Sequence, residues 1–201
     1  AQKCLDDIGI CFMMAPVFHP AMKNVMPARN ELGVRTIFNI LGPMTNPAGV
    51  TKQLTGAFDK EILLPMAQTL LSLGTKTAWL VHGNDGTDEI SISDISQVVE
   101  IKEGSINKFV LDPQEYGLDL QPFINLIGST PKYNASQLVA LLSGNKGSYR
   151  QSVLLNSAAA LYISGAVKNL NEGILMASKS IDEGDALKKL NQLREFSTKG
   201  I

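Results

Sequence analysis

Arg29 opens the stretch "RNELGVRTIFNILGPMTNP", residues 29–47, in which two arginines, three asparagines, two glycines and two prolines thread a strongly apolar run. If residues 22–32 are helical, Met22, Val25, Met26, Arg29 and Leu32 share one face by three- and four-residue spacing. A guanidinium on an apolar stripe needs a partner, because a bare buried cation is very costly. Two readings follow from the residues alone. The partner is an internal carboxylate, or the stem snorkels outward. Alternatively the planar fork clamps the carboxylate or phosphate of a ligand.

Two further places could carry chemistry. His19, in "APVFHPAM", follows an apolar run that reads as a strand. Open α/β sheets bind ligands beyond the carboxyl ends of strands; the competing reading is a loop histidine bonded to backbone. The loop "HGNDGTDEIS" places Asp85, Asp88 and Glu89 after the apolar run 77–83. Adjacent aspartate and glutamate suit a hard cation, since Mg²⁺ takes one or two carboxylates and completes its shell with water and phosphate oxygens. The competing reading is a solvated acidic turn. His19 and His82 do not cluster with cysteine at metal-ligand spacing. The sequence holds no G-x-x-x-x-G-K-[ST], G-x-G-x-x-G or G-x-S-x-G motif. "SGNKGSYR", residues 143–150, reads either as a plain loop or as an anion site at a helix start.

The elements that must position these residues alternate. "GICFMMAPVF" (9–18), "QLTGAF" (53–58) and "TAWLVHG" (77–83) read as buried strands, with Cys11 packed in the first. "PAMKNVMPARNELG" reads as a helix divided at Pro27 and capped by Gly33, and "RTIFNILG" as a short helix closed by Gly42-Pro43. "DKEILLPMAQTLLSLG" (59–74) is amphipathic, with Asp59 at its start and Gly74 at its end. In 96–113 two alternating runs flank Lys102-Glu103-Gly104-Ser105, a hairpin signature. Helices fill the rest. The expected class is therefore α/β, a mostly parallel sheet flanked by helices with a β-hairpin insertion.

The totals agree. The chain has 201 residues, 44% hydrophobic and 18% charged, with a net charge of −1. That suits a domain with a sizeable core and supplies neither a basic footprint for nucleic acid nor a polybasic membrane patch. The apolar runs are too short to span a bilayer. Cys4 and Cys11 cannot build a disulfide framework; both are expected reduced, with a cytoplasmic location as the default. Asn134-Ala135-Ser136 reads as a helix N-cap region.

"APVFHPAMKNVMPARNELGVRTIFNILGPMTNPA", followed in order by "GTDEIS" and "LLNSAAALYISG", resembles the anthranilate phosphoribosyltransferase family, and the likeness runs along essentially the whole chain. The resemblance implies a catalytic domain of the nucleoside phosphorylase and phosphoribosyltransferase type. It implies transfer of a phosphoribosyl group from phosphoribosyl pyrophosphate to the amine of anthranilate, as in tryptophan biosynthesis. In such a reaction positioning and metal neutralisation of the leaving pyrophosphate supply most of the catalysis, and no catalytic side chain is assigned.

Arg29 matches the arginine that meets the anthranilate carboxylate, and Ala15, Pro16, His19, Gly42 and Pro43 match positions lining the aromatic channel. Asp88 and Glu89 match the acidic pair for Mg²⁺. The family's small helical dimer domain and its glycine-rich pyrophosphate loop have no counterpart in residues 1–201. The expectation is a truncated C-terminal α/β catalytic domain, inactive alone, from a homodimeric parent. A pyrimidine-nucleoside phosphorylase-like enzyme and a non-catalytic aromatic-acid-binding protein remain as alternatives. Thymidine with phosphate tests the first, and the sequence upstream of Ala1 the second.

Overall fold

The structure, a computed structural model, describes residues 1–19, 24, 27, 31, 33, 34 and 36–199. The chain divides into two compact units, residues 1–49 with 186–201, and Val50–Asp185.

In the first unit, α1 (Gln2–Ile8) ends at Gly9, whose φ of 76° is the left-handed conformation a glycine cap adopts. Cys4 is buried and its thiol donates to the Ile10 carbonyl at 3.0 Å; both cysteines are free. The apolar run 9–18 is not a strand. Residues 10–14 form neither helix nor strand, and Ala15–Phe18 form a single helical turn, α2, with Pro16 in its first turn. Phe12 is 78% exposed and Val17 67%. A strand needs a neighbour for its backbone groups, and proline near the start of a turn favours helix instead. Cys11 is accordingly half-buried outside any strand, and His19 caps a helical turn rather than ending a sheet strand.

The helix expected over "PAMKNVMPARNELG" lies largely outside the described residues, as do Arg29 and its stripe of Met22, Val25, Met26 and Leu32. The helix that follows, α3 (Phe38–Met44), contains Gly42 and Pro43 instead of ending at them. It stops at Thr45, whose N–H and hydroxyl both donate to the Leu41 carbonyl. In a helix this short, the one bond that Pro43 cannot donate is a small loss.

The second unit is built on a four-stranded sheet in the order β1 (Lys52–Gly56), β2 (Thr77–Gly83), β3 (Ser96–Lys102), β4 (Ser105–Leu111). β1 and β2 run parallel, while β2–β3 and β3–β4 are antiparallel. The sheet is thus mixed, with one parallel pair among the described strands, because the hairpin continues the sheet instead of standing apart from it. The crossover from β1 to β2 carries α4 (Leu63–Ser72), preceded by a 3₁₀ turn that Asp59 caps by accepting from the Glu61 N–H.

β2 is buried along most of its length, as a central strand covered on both faces should be. Trp79 and Val81 join a core with Leu155, Ala158 and Ala159 of α6 (Ser148–Ser164). On the other face, where strand alternation points Ala78 and Leu80, α4 contacts β2 and β3 and buries Leu63, Met66, Ala67 and Leu70. Helices α5 (Pro131–Leu142) and α7 (Leu170–Asp182) complete this unit. The N-cap of α5 is Thr130, so Asn134 and Ser136 lie inside that helix, not at its cap. A last helix, α8 (Asp185–Lys199), belongs from residue 186 onward to the first unit, where Lys189 donates to the Ile8 carbonyl at 2.7 Å.

Candidate functional site

The loop after β2 begins with its own scaffold. Asp85 accepts three hydrogen bonds, from the Thr87 N–H at 3.1 Å, the Thr87 hydroxyl at 2.7 Å and the Ser91 hydroxyl at 2.6 Å. Ser91 in turn accepts from the N–H groups of Ser93 and Asp94. Burial opposes the charge on Asp85, yet the bonds from Ser91 and Thr87 outweigh it and hold the carboxyl below its ordinary value. Gly83 sits under this knot: a Cβ there would fall 2.5 Å from both Asp85 Oδ1 and Thr87 Oγ1. Of the three acidic residues in the loop, Asp85 therefore faces inward and organises the turn.

Asp88 and Glu89 are different, since both are exposed and neither carboxyl has a hydrogen-bond or ion-pair partner among the described residues. They line a cavity of about 440 Å³. Its other walls are Leu54 and Gly56 of β1, Val81 of β2, and one face of α6 from Tyr149 through Ser152 and Asn156 to Ala160. The cavity lies by Gly56, where the parallel pair ends, the edge at which α/β sheets take ligands. Partial desolvation, then repulsion from Asp88 and Asp85, raises the Glu89 carboxyl above its ordinary value. Burial, then the Glu89 charge, likewise pushes up the Tyr149 phenol.

Two elements fix the backbone of this acidic pair. On one side β1 approaches so closely that a Cβ on Gly56 would lie 1.5 Å from the Asp88 carbonyl oxygen. On the other, Asn156 of α6 accepts from the Ile90 N–H at 3.0 Å and donates to the Ile90 carbonyl at 2.9 Å. Its amide also donates to the Ser152 carbonyl at 3.0 Å.

As metal donors, Asp88 and Glu89 offer hard carboxylate oxygens beside an open cavity. Among the described residues no group of three or more His, Cys, Asp or Glu side chains is arranged to hold a metal. That donor set fits Mg²⁺, which favours one or two carboxylates with the remaining positions left to water and phosphate oxygens. A mutually repelling pair with no ion-pair partner among the described residues is also what a cation would relieve.

The described acceptor-channel candidates fall in the other unit. Ala15 and Pro16 belong to α2, and half-buried His19 closes it. Gly42 and Pro43 are half-buried within α3. The loop 143–150 is not a free anion site. Lys146 and buried Arg150 turn to Asp182 at the end of α7, with Arg150 Nη2 at 2.8 Å from Asp182 Oδ2. Sequence reasoning gave no role to Tyr149, Gly56 or Asn156. Asn156 lies in the motif "LLNSAAALYISG", where a polar amide in an otherwise small and apolar helical run is a detectable signal.

An acidic pair at the end of a parallel β-pair, walled by a long helix, is a candidate cation site in an α/β domain, and residues 1–187 match the glycosyl transferase family, a/b domain. The chain belongs to that family. Its relatives are specific. It is 45% identical over 98% of its length to an anthranilate phosphoribosyltransferase of Clostridium kluyveri, of which it covers 58%. Its structure matches 57% of the anthranilate phosphoribosyltransferase of Thermus thermophilus with a TM-score of 0.89 and 39% identity, over 96% of this chain. It also matches 55% of the Saccharomyces cerevisiae enzyme in complex with PRPP and Mg, with a TM-score of 0.87 and 30% identity over 95% of this chain. The chain thus spans a little over half the length of these relatives.

Proposed function

We propose that this chain is the acceptor- and metal-binding part of an enzyme that transfers the phosphoribosyl group of phosphoribosyl pyrophosphate to the amine of anthranilate, giving N-(5-phosphoribosyl)anthranilate and pyrophosphate. The observation that carries this reading is the Asp88–Glu89 pair, without a hydrogen-bond or ion-pair partner among the described residues, on the cavity at the end of the parallel strands. Relatives sharing 45% of residues along nearly all of the chain support the choice of reaction.

Asp88 and Glu89 would hold Mg²⁺ through their carboxylate oxygens. The bound ion would neutralise charge on the leaving pyrophosphate. Ser152, Asn156 and Tyr149 of α6 set the opposite wall. Arg29 would clamp the anthranilate carboxylate through its planar fork, with His19, Ala15, Pro16, Gly42 and Pro43 lining the acceptor channel. An aryl amine is a weak base, and its attack on a C1 centre needs positioning more than a strong general base.

The test is made on the full-length protein. Asp88→Asn combined with Glu89→Gln should cut turnover of anthranilate, followed by its fluorescence, by at least about a hundredfold at limiting Mg²⁺, the scale of two lost charge-assisted contacts. The melting temperature should not fall. Near-normal turnover at limiting Mg²⁺ would reject the metal role of the pair.

A further inference from the structure

We infer that Asn156 is a positioning residue that fixes Glu89, and so the spacing of the acidic pair, by gripping the backbone of Ile90 from α6. The inference rests on the metal-binding reading of that pair.

The geometry is specific. Backbone amide and carbonyl of Ile90 are both taken by one side-chain amide, at 3.0 and 2.9 Å. That is a two-point attachment of a loop to a helix 66 residues further along the chain. Ile90 itself is fully buried, so its side chain anchors the grip from within the core. Asn156 cannot turn its amide over without losing both bonds, and its third bond, to the Ser152 carbonyl, holds it in this orientation. Across the pair, the close approach of Gly56 to the Asp88 carbonyl blocks movement toward β1. Glu89 therefore sits between two fixed points, Asp88 held by a strand and Ile90 held by a helix. The two carboxylates repel each other, so a loop without this grip would open them apart. A loose pair loses the oxygen placement that Mg²⁺ demands.

The test uses the full-length protein with Mn²⁺ and pyrophosphate as the probe, and free Mn²⁺ read by electron paramagnetic resonance. Asn156→Ala should weaken Mn²⁺ affinity at least about tenfold and speed hydrogen exchange of the Ile90 amide at least about tenfold, the scale of losing both hydrogen bonds to Ile90. In the Asp88→Asn, Glu89→Gln background, Asn156→Ala should change the residual Mn²⁺ affinity by less than about twofold, because the groups it positions are gone. If Asn156→Ala does not fold, Asn156→Ser, which cannot span both Ile90 groups, is measured in its place with the same expectation.

Unchanged Mn²⁺ affinity in the Asn156 variant, alongside a large loss in the acidic-pair variant, would overturn the positioning role and leave the metal reading standing. An acidic-pair variant that binds Mn²⁺ normally would overturn both. Equal losses from Asn156→Ala in the two backgrounds would make Asn156 a general packing residue.

Discussion

Glu89 carries a charge that the fold holds under strain. Its carboxyl sits above the ordinary value of 4.5 because partial desolvation, then Asp88 and Asp85, disfavour ionisation. The folded chain therefore binds that proton more readily than the unfolded chain does. Stability falls as pH rises from about 4.5 through the raised value. Glu89→Gln removes that charge, so in metal-free buffer it should melt at a higher temperature than the parent at about pH 7. The difference should vanish below about pH 4. Thermal melts of both proteins from about pH 3.5 to neutrality check this, and an unchanged midpoint at neutral pH would mean that the carboxylate is not strained. Asp85 has the opposite sign. Its carboxyl lies below the ordinary 3.8, so its contribution is present above that value and is lost as pH falls through the lowered one.

Arg29 shares its sequence spacing with the apolar residues Met22, Val25, Met26 and Leu32. Charged hydrogen bonds are worth about 1.5–3 kcal/mol, and each 1.4 kcal/mol is about tenfold. In the full-length protein Arg29→Ala should thus raise the Michaelis constant for anthranilate about ten- to a hundredfold and barely alter that for phosphoribosyl pyrophosphate. Equal damage to both, with a large loss of melting temperature, would instead make Arg29 an internal ion-pair residue. Arg150 shows what that alternative looks like, since it is 5% exposed and bound to Asp182 of its own chain.

At the scale of elements, close approach decides more than propensity. Gly173 of α7 meets Ala158 of α6 so tightly that an added Cβ would lie 2.8 Å from the Ala158 Cα and Cβ. Both sides are helix, so neither yields easily. Gly173→Ala should cost about 1–3 kcal/mol by overpacking, although alanine is the better helix former. Urea unfolding checks the sign, and a stabilised variant would mean that the helices shift apart freely. The hairpin shows the converse, a local signal obeyed. Lys102 pairs with Ser105, and the two residues between them, Glu103 and Gly104, have φ of 51° and 78°, positive at both positions as a type I′ turn requires.

For the whole molecule, ligand binding should appear as stability. Anything bound only by the folded state stabilises it by about 2.7 kcal/mol at a hundred times its dissociation constant. Mn²⁺ with pyrophosphate should therefore raise the melting temperature of the full-length protein, and the Asp88→Asn, Glu89→Gln variant should lose that rise. A rise of equal size in the variant would place the cation elsewhere.

The sequence by itself determined a strand over 53–58, found at Lys52–Gly56, the strand 77–83, the hairpin and its turn, and the helices of the second unit. Those signals are local: alternation, caps, turn glycines and apolar periodicity act within a few residues. It also marked Asp88 and Glu89, because adjacent carboxylates after a strand are visible in one line of text. Only the tertiary structure decided the rest. Residues 9–18 were as apolar as any strand, but strand identity depends on a neighbour's backbone, and Ala15–Phe18 turn helical. The sheet expected as mostly parallel is mixed among the described strands because the hairpin pairs onto β2. Asp85 and Asp88 look alike in sequence. They were separated by three-dimensional partners: Ser91 and Thr87 bind the first, and the cavity faces the second. Asn156 acts across 66 residues, a distance over which no local pattern carries information, and only folding brings its amide to Ile90.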